Sequence, residues 1–246
     1  MITSSRDVLS QLDRRVPAAA VGKLESPAGP AVEPHPAASV VLLRDHHGGL
    51  ETYALHRHSR MPFAAGMVVF PGGRWDAVDG VLGAGFGPDA AALLHCAARE
   101  TEEETGVRLE PAALHPWAHW ITPEIEPRRY DTFFYLAALP PGQDAADVSG
   151  ETWKAEWRSP AALLTAADAA ELALMPPTRS ILIELAGFGS VESAIAGCRG
   201  RRVETVLPRF VHGPQGWVFD YSDLAATGAA AEISGSDESI KREGAE

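Results

Sequence analysis

Cysteine is nearly absent: Cys96 and Cys198 are the only two in 246 residues. They lack the paired Cys/His spacing of a zinc site, and one distant pair makes no disulfide framework. Basic residues are also scarce, with 21 Lys and Arg against 33 Asp and Glu, a formal net charge of −12. A field of that sign repels nucleic-acid backbones and anionic membranes, so neither is expected as a partner. No apolar run approaches the ~20 residues needed to cross a bilayer. The first fifteen residues hold no signal-peptide core, so a cytoplasmic chain is expected. The same negative field repels an anionic small molecule. A phosphate-containing ligand would therefore need a metal ion or a few arginines placed locally.

What the chain does have is apolar content, 46% hydrophobic residues, enough for one α/β domain with a small appendage. Residues 1–35 are rich in Ala, Pro and charge and read as an arm or linker, with Leu9 and Leu12 on a short helix. Residues 36–228 form the expected domain with a helical C-terminal extension, and the small, polar tail 229–246 reads as disordered. Within the domain, Ala38–Arg44 and Thr52–Arg57 read as a hairpin and Gly66–Phe70 as a third strand ended by Pro71-Gly72-Gly73. Residues 74–88 form a Gly-rich loop. Asp89 is the expected N-cap of a helix stopped by Gly106. Strands are expected at Trp117–Thr122, Tyr130–Leu139 and Thr152–Arg158. Helices follow from Pro160, over Thr178–Gly187 and over Val191–Ala196. Val203–Leu207 and Trp217–Phe219 read as short closing strands. The pattern is a mixed sheet covered by helices, an α/β/α sandwich with extra C-terminal helices.

One helix carries the chemical signal. At ~100° per residue, Leu94, Ala97, Ala98, Thr101 and Thr105 share a side that packs on the sheet. Glu100, Glu103 and Glu104 share a second face. Three carboxylates there repel one another, and they sit at the helix C-terminal end, where the macrodipole disfavours negative charge. Stability alone argues against this arrangement; a hard divalent cation such as Mg²⁺ or Mn²⁺ reverses the sign. A solvated acidic face is the bland alternative.

The order of residues decides between them. Arg99-Glu100-Thr101-Glu102-Glu103-Glu104-Thr105-Gly106-Val107, with Phe70-Pro71-Gly72-Gly73 upstream, closely resembles the Nudix box, Gly-x5-Glu-x7-Arg-Glu-U-x-Glu-Glu-x-Gly-U with U apolar. The second half matches at every fixed position. The first half departs: residues 74–88 separate Gly73 from the helix, and Ala91 stands eight residues before Arg99, where the family often has Glu. A narrower likeness covers about residues 38–220. Gly66-x3-Phe70-Pro71-Gly72-Gly73-x2-Asp76-x2-Asp79, Trp120-Ile121-Thr122-Pro123, Arg129-Tyr130-Asp131-Thr132-x-Phe134 and Pro176-Pro177-Thr178 are similar to the coenzyme A diphosphatase branch, in the version with an insertion inside the box. That branch has an Arg four residues ahead of the glycine matched by Gly66. Here Pro62 stands there, with Arg57 and Arg60 nearby as substitutes.

The resemblance implies a Nudix fold and metal-dependent attack of water on a diphosphate in a nucleoside diphosphate derivative, coenzyme A and acyl-coenzyme A among them. Mg²⁺ or Mn²⁺ is the implied cofactor, because cations neutralise a polyanion that otherwise repels its nucleophile. Glu103 and Glu104 are the first candidates for metal ligands. Glu100 is a third ligand or the base, and Gly73 offers its carbonyl. Arg99 holds the glutamates in place. Glu151 is the favoured extra carboxylate from a later loop, with Glu124, Glu126 and Glu156 as alternatives. Arg57, Arg60, Gly72, Gly73 and Arg129 are the candidates for substrate contact; Arg128 and Arg129 sit together as a phosphate clamp or, more readily, a solvated loop pair. A homodimer is an allowed assembly.

Other readings are weaker. Trp75 lies in the active-site loop, whereas Trp117 and Trp120 read as sheet core. His56, His58, His95, His115 and His119 lack metal spacing. Ser59 and Ser180 lack a nucleophile elbow. Gly83-x-Gly85-x-Gly87 lacks the Lys-Ser/Thr of a P-loop and reads as a flexible lid. A Nudix-fold regulatory module without catalysis is the competing function. It is disfavoured because Glu100, Glu103 and Glu104 are all present. An acidic interaction domain leaves the order of Pro-Gly-Gly and Arg-Glu unexplained.

Overall fold

The computed structural model describes residues 5–16, 18–25, 29–61, 64–214, 216–222 and 224–226. Pro62 and the tail 229–246 lie outside the described residues. Two short helices, α1 (Ser5–Leu9) and α2 (Ala18–Glu25), precede strands β1 (His35–His46) and β2 (Gly49–Arg57). His47 and Gly48, both at positive φ, make the two-residue turn between these strands, as a tight hairpin requires. Then come β3 (Met67–Val69), β4 (Gly72–Arg74), a 3-10 turn over Ala77–Asp79 and the long helix α3 (Ala91–Thr105). A second 3-10 turn leads to β5 (His115–Ile121), β6 (Tyr130–Ala138) and β7 (Thr152–Arg158). The remainder is α4 (Pro160–Asp168), β8 (Ala173–Leu174), α5 (Pro176–Leu185), α6 (Val191–Gly197), β9 (Glu204–Val206), β10 (Arg209–Gly213), β11 (Gly216–Asp220) and β12 (Leu224–Ala226).

Among the described residues the main sheet runs β12-β9-β5-β6-β1-β2-β3-β8, with β4 also on β1 and β7 also on β2. It is mixed: β1 with β6, β5 with β9, and β3 with β8 are parallel pairs. Alternation along β1 builds a core on each face. Ala38, Val40 and Leu42 point to the face covered by Leu93, Cys96 and Ala97 of α3. Val41 and Leu43 point to the face covered by Leu163, Ile181 and Leu185 of α4 and α5 and Ala194 of α6. The expected α/β/α sandwich with added C-terminal helices is therefore observed.

Several local expectations are corrected. Asp89 does not cap α3: the N-cap is Ala90, without a side-chain cap, because residues 87–90 form a turn and Tyr135 Oη donates to the Pro88 carbonyl. The buried stripe of α3 contains Leu93, Cys96, Ala97, Thr101, Glu104 and Thr105, so it includes one of the glutamates. The third strand does end before Pro71, as expected, but Gly72–Arg74 then forms a further strand, β4, antiparallel to β1. Trp217–Phe219 lies in β11, which pairs with β10 in a separate hairpin rather than closing the sheet. The segment before β1 is docked: Val8, Leu9 and Leu12 are buried, and Leu9 and Leu12 belong to the core under α4–α6.

Strand β4 seats where only glycine fits. Gly72 has φ +154°, and a Cβ there would collide with the Ala38 carbonyl oxygen and the Ser39 hydroxyl of β1. Gly72→Ala should therefore lower stability by about 2–3 kcal/mol, read as the urea midpoint at constant m. An unchanged midpoint would contradict the close seating of β4 on β1.

Candidate active site

The centre of the site is Arg99. Its Nε donates to Asp79 Oδ1 at 2.7 Å, and Nη2 reaches Asp79 Oδ2 at 2.9 Å and the Arg74 carbonyl at 3.2 Å. Nη1 reaches Glu100 at 2.8 Å and Glu103 at 3.2 Å. The rigid fork of the guanidinium suits this arrangement. It holds three carboxylates from two segments, as expected for the two glutamates.

Asp79 is the residue that sequence reasoning left without a role. It is buried, and it closes a capping box with Asp76 around the 3-10 turn, accepting the Asp76 N–H at 2.9 Å. Burial opposes its ionisation, but hydrogen bonds from Arg99 and from the Asp76 backbone outweigh that and keep its pKa below the usual range. Asp79 stands six residues after Gly73, the Gly-x5-acid spacing of the first half-box. That spacing was the signal available in the sequence. The acid sought at Ala91 is thus supplied from Asp79, and Ala91 is an exposed residue in the first turn of α3.

The three glutamates differ. Glu103 is exposed and held only at its tip by Arg99. Glu100 is half-buried and lies so close to Gly73 that any side chain there would strike its carboxylate. Burial raises the Glu100 pKa, although Arg99 opposes this. Glu104 is buried, and it accepts the Gly72 N–H at 2.9 Å. Burial pushes its carboxyl up to about 7, against the Gly72 N–H and Arg57, while Glu100 and Glu151 add to the rise. Gly72 and Gly73 are thus the backbone floor beneath Glu104 and Glu100. The Gly73 carbonyl faces the Cys96 thiol, at 3.7 Å.

Arg57 and Glu151 pair at 3.1 Å at the end of β2, and both act electrostatically on Glu104, so the structure brings these two expected site residues to the cluster. Arg57 Nε is buried with no hydrogen-bond partner among the described residues. The alternatives to Glu151 go elsewhere. Glu156 binds His56 at 2.9 Å and Lys154 at 2.8 Å, and Glu126 binds Lys23 at 2.9 Å. Glu124 is exposed in the loop between β5 and β6. Arg60 is exposed in the turn after β2. Arg129 corrects an expectation: it is buried, with Nε on the Thr122 carbonyl at 2.9 Å and Nη1 on the Val32 carbonyl at 2.7 Å. It ties the loop and the N-terminal segment together and is not placed as a phosphate clamp. Trp75 donates to the Gly80 carbonyl at 3.2 Å, bracing the turn that carries Asp79.

The donor set suits a hard cation. Its side-chain donors are carboxylates, and two of them are held by burial against their own ionisation, a conflict that a divalent ion would relieve. Among the described residues no three Asp, Glu, His or Cys side chains already converge on one point. Glu103 would have to swing from Arg99 to complete a set.

A family model described as NUDIX domain matches residues 33–177, well over half of the chain. The chain belongs to the NUDIX domain family. Among solved structures, a NUDIX hydrolase from Alicyclobacillus acidocaldarius is 24% identical, with a TM-score of 0.59 over 67% of this chain and 96% of that one. It shares the fold. The NUDIX domain of Shewanella oneidensis NrtR, complexed with ADP ribose, is 17% identical over 69% of this chain and 96% of its own, with a TM-score of 0.45. A C. elegans Ap4A hydrolase is 20% identical over 66% of this chain and 98% of its own, with a TM-score of 0.43. No curated relative matches the chain. Residues of this NUDIX-family chain beyond 177 include most of α5, then α6 and the β10–β11 hairpin.

The raised pKa of Glu104 has a testable sign. Its folded value, about 7, exceeds the ordinary 4.5, so the folded state holds this proton more tightly. Metal-free stability should fall as pH rises from about 4.5 through 7 and stay lowered above, by up to about 3 kcal/mol at 1.36 kcal/mol per unit. Glu104→Gln keeps an acceptor for the Gly72 N–H and removes that fall. In urea titrations without metal it should be more stable than the parent at pH 8 and similar at pH 5. Destabilisation at both pH values would contradict the burial argument.

Proposed function

We propose that this NUDIX-family chain is a hydrolase that uses a divalent cation, Mg²⁺ or Mn²⁺, to cleave a diphosphate linkage in a nucleoside diphosphate derivative. The observation that carries the reading is the Arg99 clamp, which gathers Asp79, Glu100 and Glu103 beside Glu104 on the Gly72-Gly73 floor. Glu103, Glu104 and Glu100, with the Gly73 carbonyl, are the groups that would hold the ion. When bound, a divalent cation polarises phosphoryl oxygens and lowers the pKa of bound water.

The protein's own part is positioning and proton transfer. Arg99, tied to Asp79, keeps Glu100 and Glu103 from splaying apart. Glu100, half-buried and with a raised pKa, is suited to orient a water and take its proton. Arg57, with its Nε unpaired and Glu151 at its tip, is the cation best placed to meet a phosphate near Glu104. Glu151 is proposed as the added carboxylate of the site, released when Arg57 turns to substrate. Solved hydrolases of this fold include one described as acting on Ap4A, in keeping with a diphosphate-linked substrate. The finer reading, coenzyme A or an acyl-coenzyme A, rests on the Phe70-Pro71-Gly72-Gly73-x2-Asp76-x2-Asp79 and Pro176-Pro177-Thr178 motifs. In that reading the extra residues of the box fall between Asp79 and Arg99.

The test is hydrolysis of coenzyme A, ADP-ribose, NADH and nucleoside triphosphates, each with and without Mg²⁺ or Mn²⁺. Metal-dependent release from at least one is expected, with 4′-phosphopantetheine as the product if coenzyme A is cut. Glu103→Gln should lower kcat by about a hundredfold or more while the circular-dichroism spectrum is unchanged. Metal binding without turnover on any substrate would favour a regulatory ligand-binding module instead.

A further inference from the structure

On the sheet face opposite α3 lies a cavity of about 730 Å³, within the range that holds a drug-sized ligand. Its walls come from three sources. Ser39, Val69 and Phe134 of the sheet form the floor, and Met175 and Pro176 at the start of α5 form one side. The roof comes from outside the region that the family model matches: Asp13, Arg15 and Ala20 from the N-terminal segment, and Phe210, Phe219 and Tyr221 from the β10–β11 hairpin and its exit.

The two roof segments are joined to each other. Arg15 bridges Val218, the Phe219 N–H donates to the Arg14 carbonyl at 2.7 Å, and Arg14 Nε donates back to the Phe219 carbonyl at 2.8 Å. Arg14 also lies 3.6 Å from Asp220. Aromatic contacts run from Phe210 to Phe219, 4.7 Å between ring centroids, on to Tyr221 at 5.8 Å and down to Trp120 of the sheet at 6.1 Å. The lining is chiefly apolar, and its acids are partnered at the rim, Asp13 by Arg15 and Glu126 by Lys23.

Backbone pairing links the floor to the strand beneath the glutamate cluster, which lies on the other face of the sheet. Ser39 pairs with Gly72 across β1 and β4, and the Gly72 N–H is held by Glu104. A ligand with its diphosphate at Gly72-Gly73 has this cavity beside it. Met175, Pro176, Phe210 and Phe219 offer the polar edge of a nucleobase no side-chain donor or acceptor, which leaves Ser39, Thr132, Thr178 and the rim charges as its partners. An extended hydrocarbon has no such edge.

We infer that the N-terminal segment and the β10–β11 hairpin clasp over the sheet to make a selectivity pocket for an extended apolar chain on the organic half of the diphosphate substrate. This rests on the diphosphatase reading for the position of the phosphates, though binding of the chain is separable from catalysis. The pocket discriminates by chain length, because each added methylene leaves water for the cavity.

The experiment is calorimetry on the full, metal-free chain with methyl, hexyl and decyl diphosphate. Affinity should rise by about fourfold per added methylene, the transfer value for a CH₂ group. Phe210→Ala with Phe219→Ala should weaken decyl binding at least tenfold and leave methyl binding unchanged. Met175→Glu tests the same wall without removing a core ring, and an acid at that helix N-cap is tolerated. It should also weaken decyl binding at least tenfold. Affinity independent of chain length, or equal losses for methyl and decyl ligands, would overturn the inference. Chain-length dependence in a protein that hydrolyses no diphosphate would sink the catalytic reading and leave the pocket standing.

Discussion

The four-way hold of Arg99 on Asp79, Glu100, Glu103 and the Arg74 carbonyl is the interaction on which the site depends. Without it, an acidic helix end has three carboxylates repelling one another against an unfavourable dipole. With it, two of the glutamates are fixed to a turn that is itself closed by a capping box, and the third is fixed to β4 through Gly72. The clamp therefore joins α3, the 3-10 turn and the strand end. Its electrostatics remain incomplete in one respect: burial still disfavours charge on Glu100 and Glu104. Acids that are organised but not neutralised are what the proposed divalent cation would require.

The fold explains why the site forms where it does. β4 is only three residues long, and it can pair with β1 only because Gly72 tolerates the contact with Ala38 and Ser39. That pairing puts the Gly72 N–H under Glu104 on the α3 side of the sheet. The same register puts Ser39 in the floor of the cavity on the other side. One short strand thus connects the carboxylates to the apolar pocket. The helices α4–α6 and the docked N-terminal segment cover the rest of that face, and the hairpin closes it.

The helix, the glutamates and the strand pattern were legible in the sequence because each has a local signature: a 3.6-residue period, a fixed motif, alternation. Glu151 and Arg57 were also placed near the cluster. Other features were not legible because they depend on distant partners. Asp79 carried the right spacing from Gly73, yet its role emerges only when Arg99, twenty positions away, reaches it. The same holds for Arg129, an arginine that looks like a phosphate ligand in sequence but is consumed by two carbonyls, one of them 97 positions away. The N-terminal arm looked like a linker because Pro and Ala mask the few apolar residues that dock it. β10 is irregular in composition and is defined by its partner β11.

The most direct test of the clamp is Mn²⁺ affinity in Asp79→Asn compared with the parent chain, measured by calorimetry alongside circular dichroism. Arg99 Nη1 already holds Glu100 and Glu103; loss of the Asp79 charge frees Nε and Nη2 as well, so the whole fork competes with the ion for these two carboxylates. The expected result is Mn²⁺ binding weakened by about tenfold to a hundredfold in a folded protein. Unchanged Mn²⁺ affinity in the folded variant, or no Mn²⁺ binding by the parent, would contradict a clamp that presents these carboxylates to a metal.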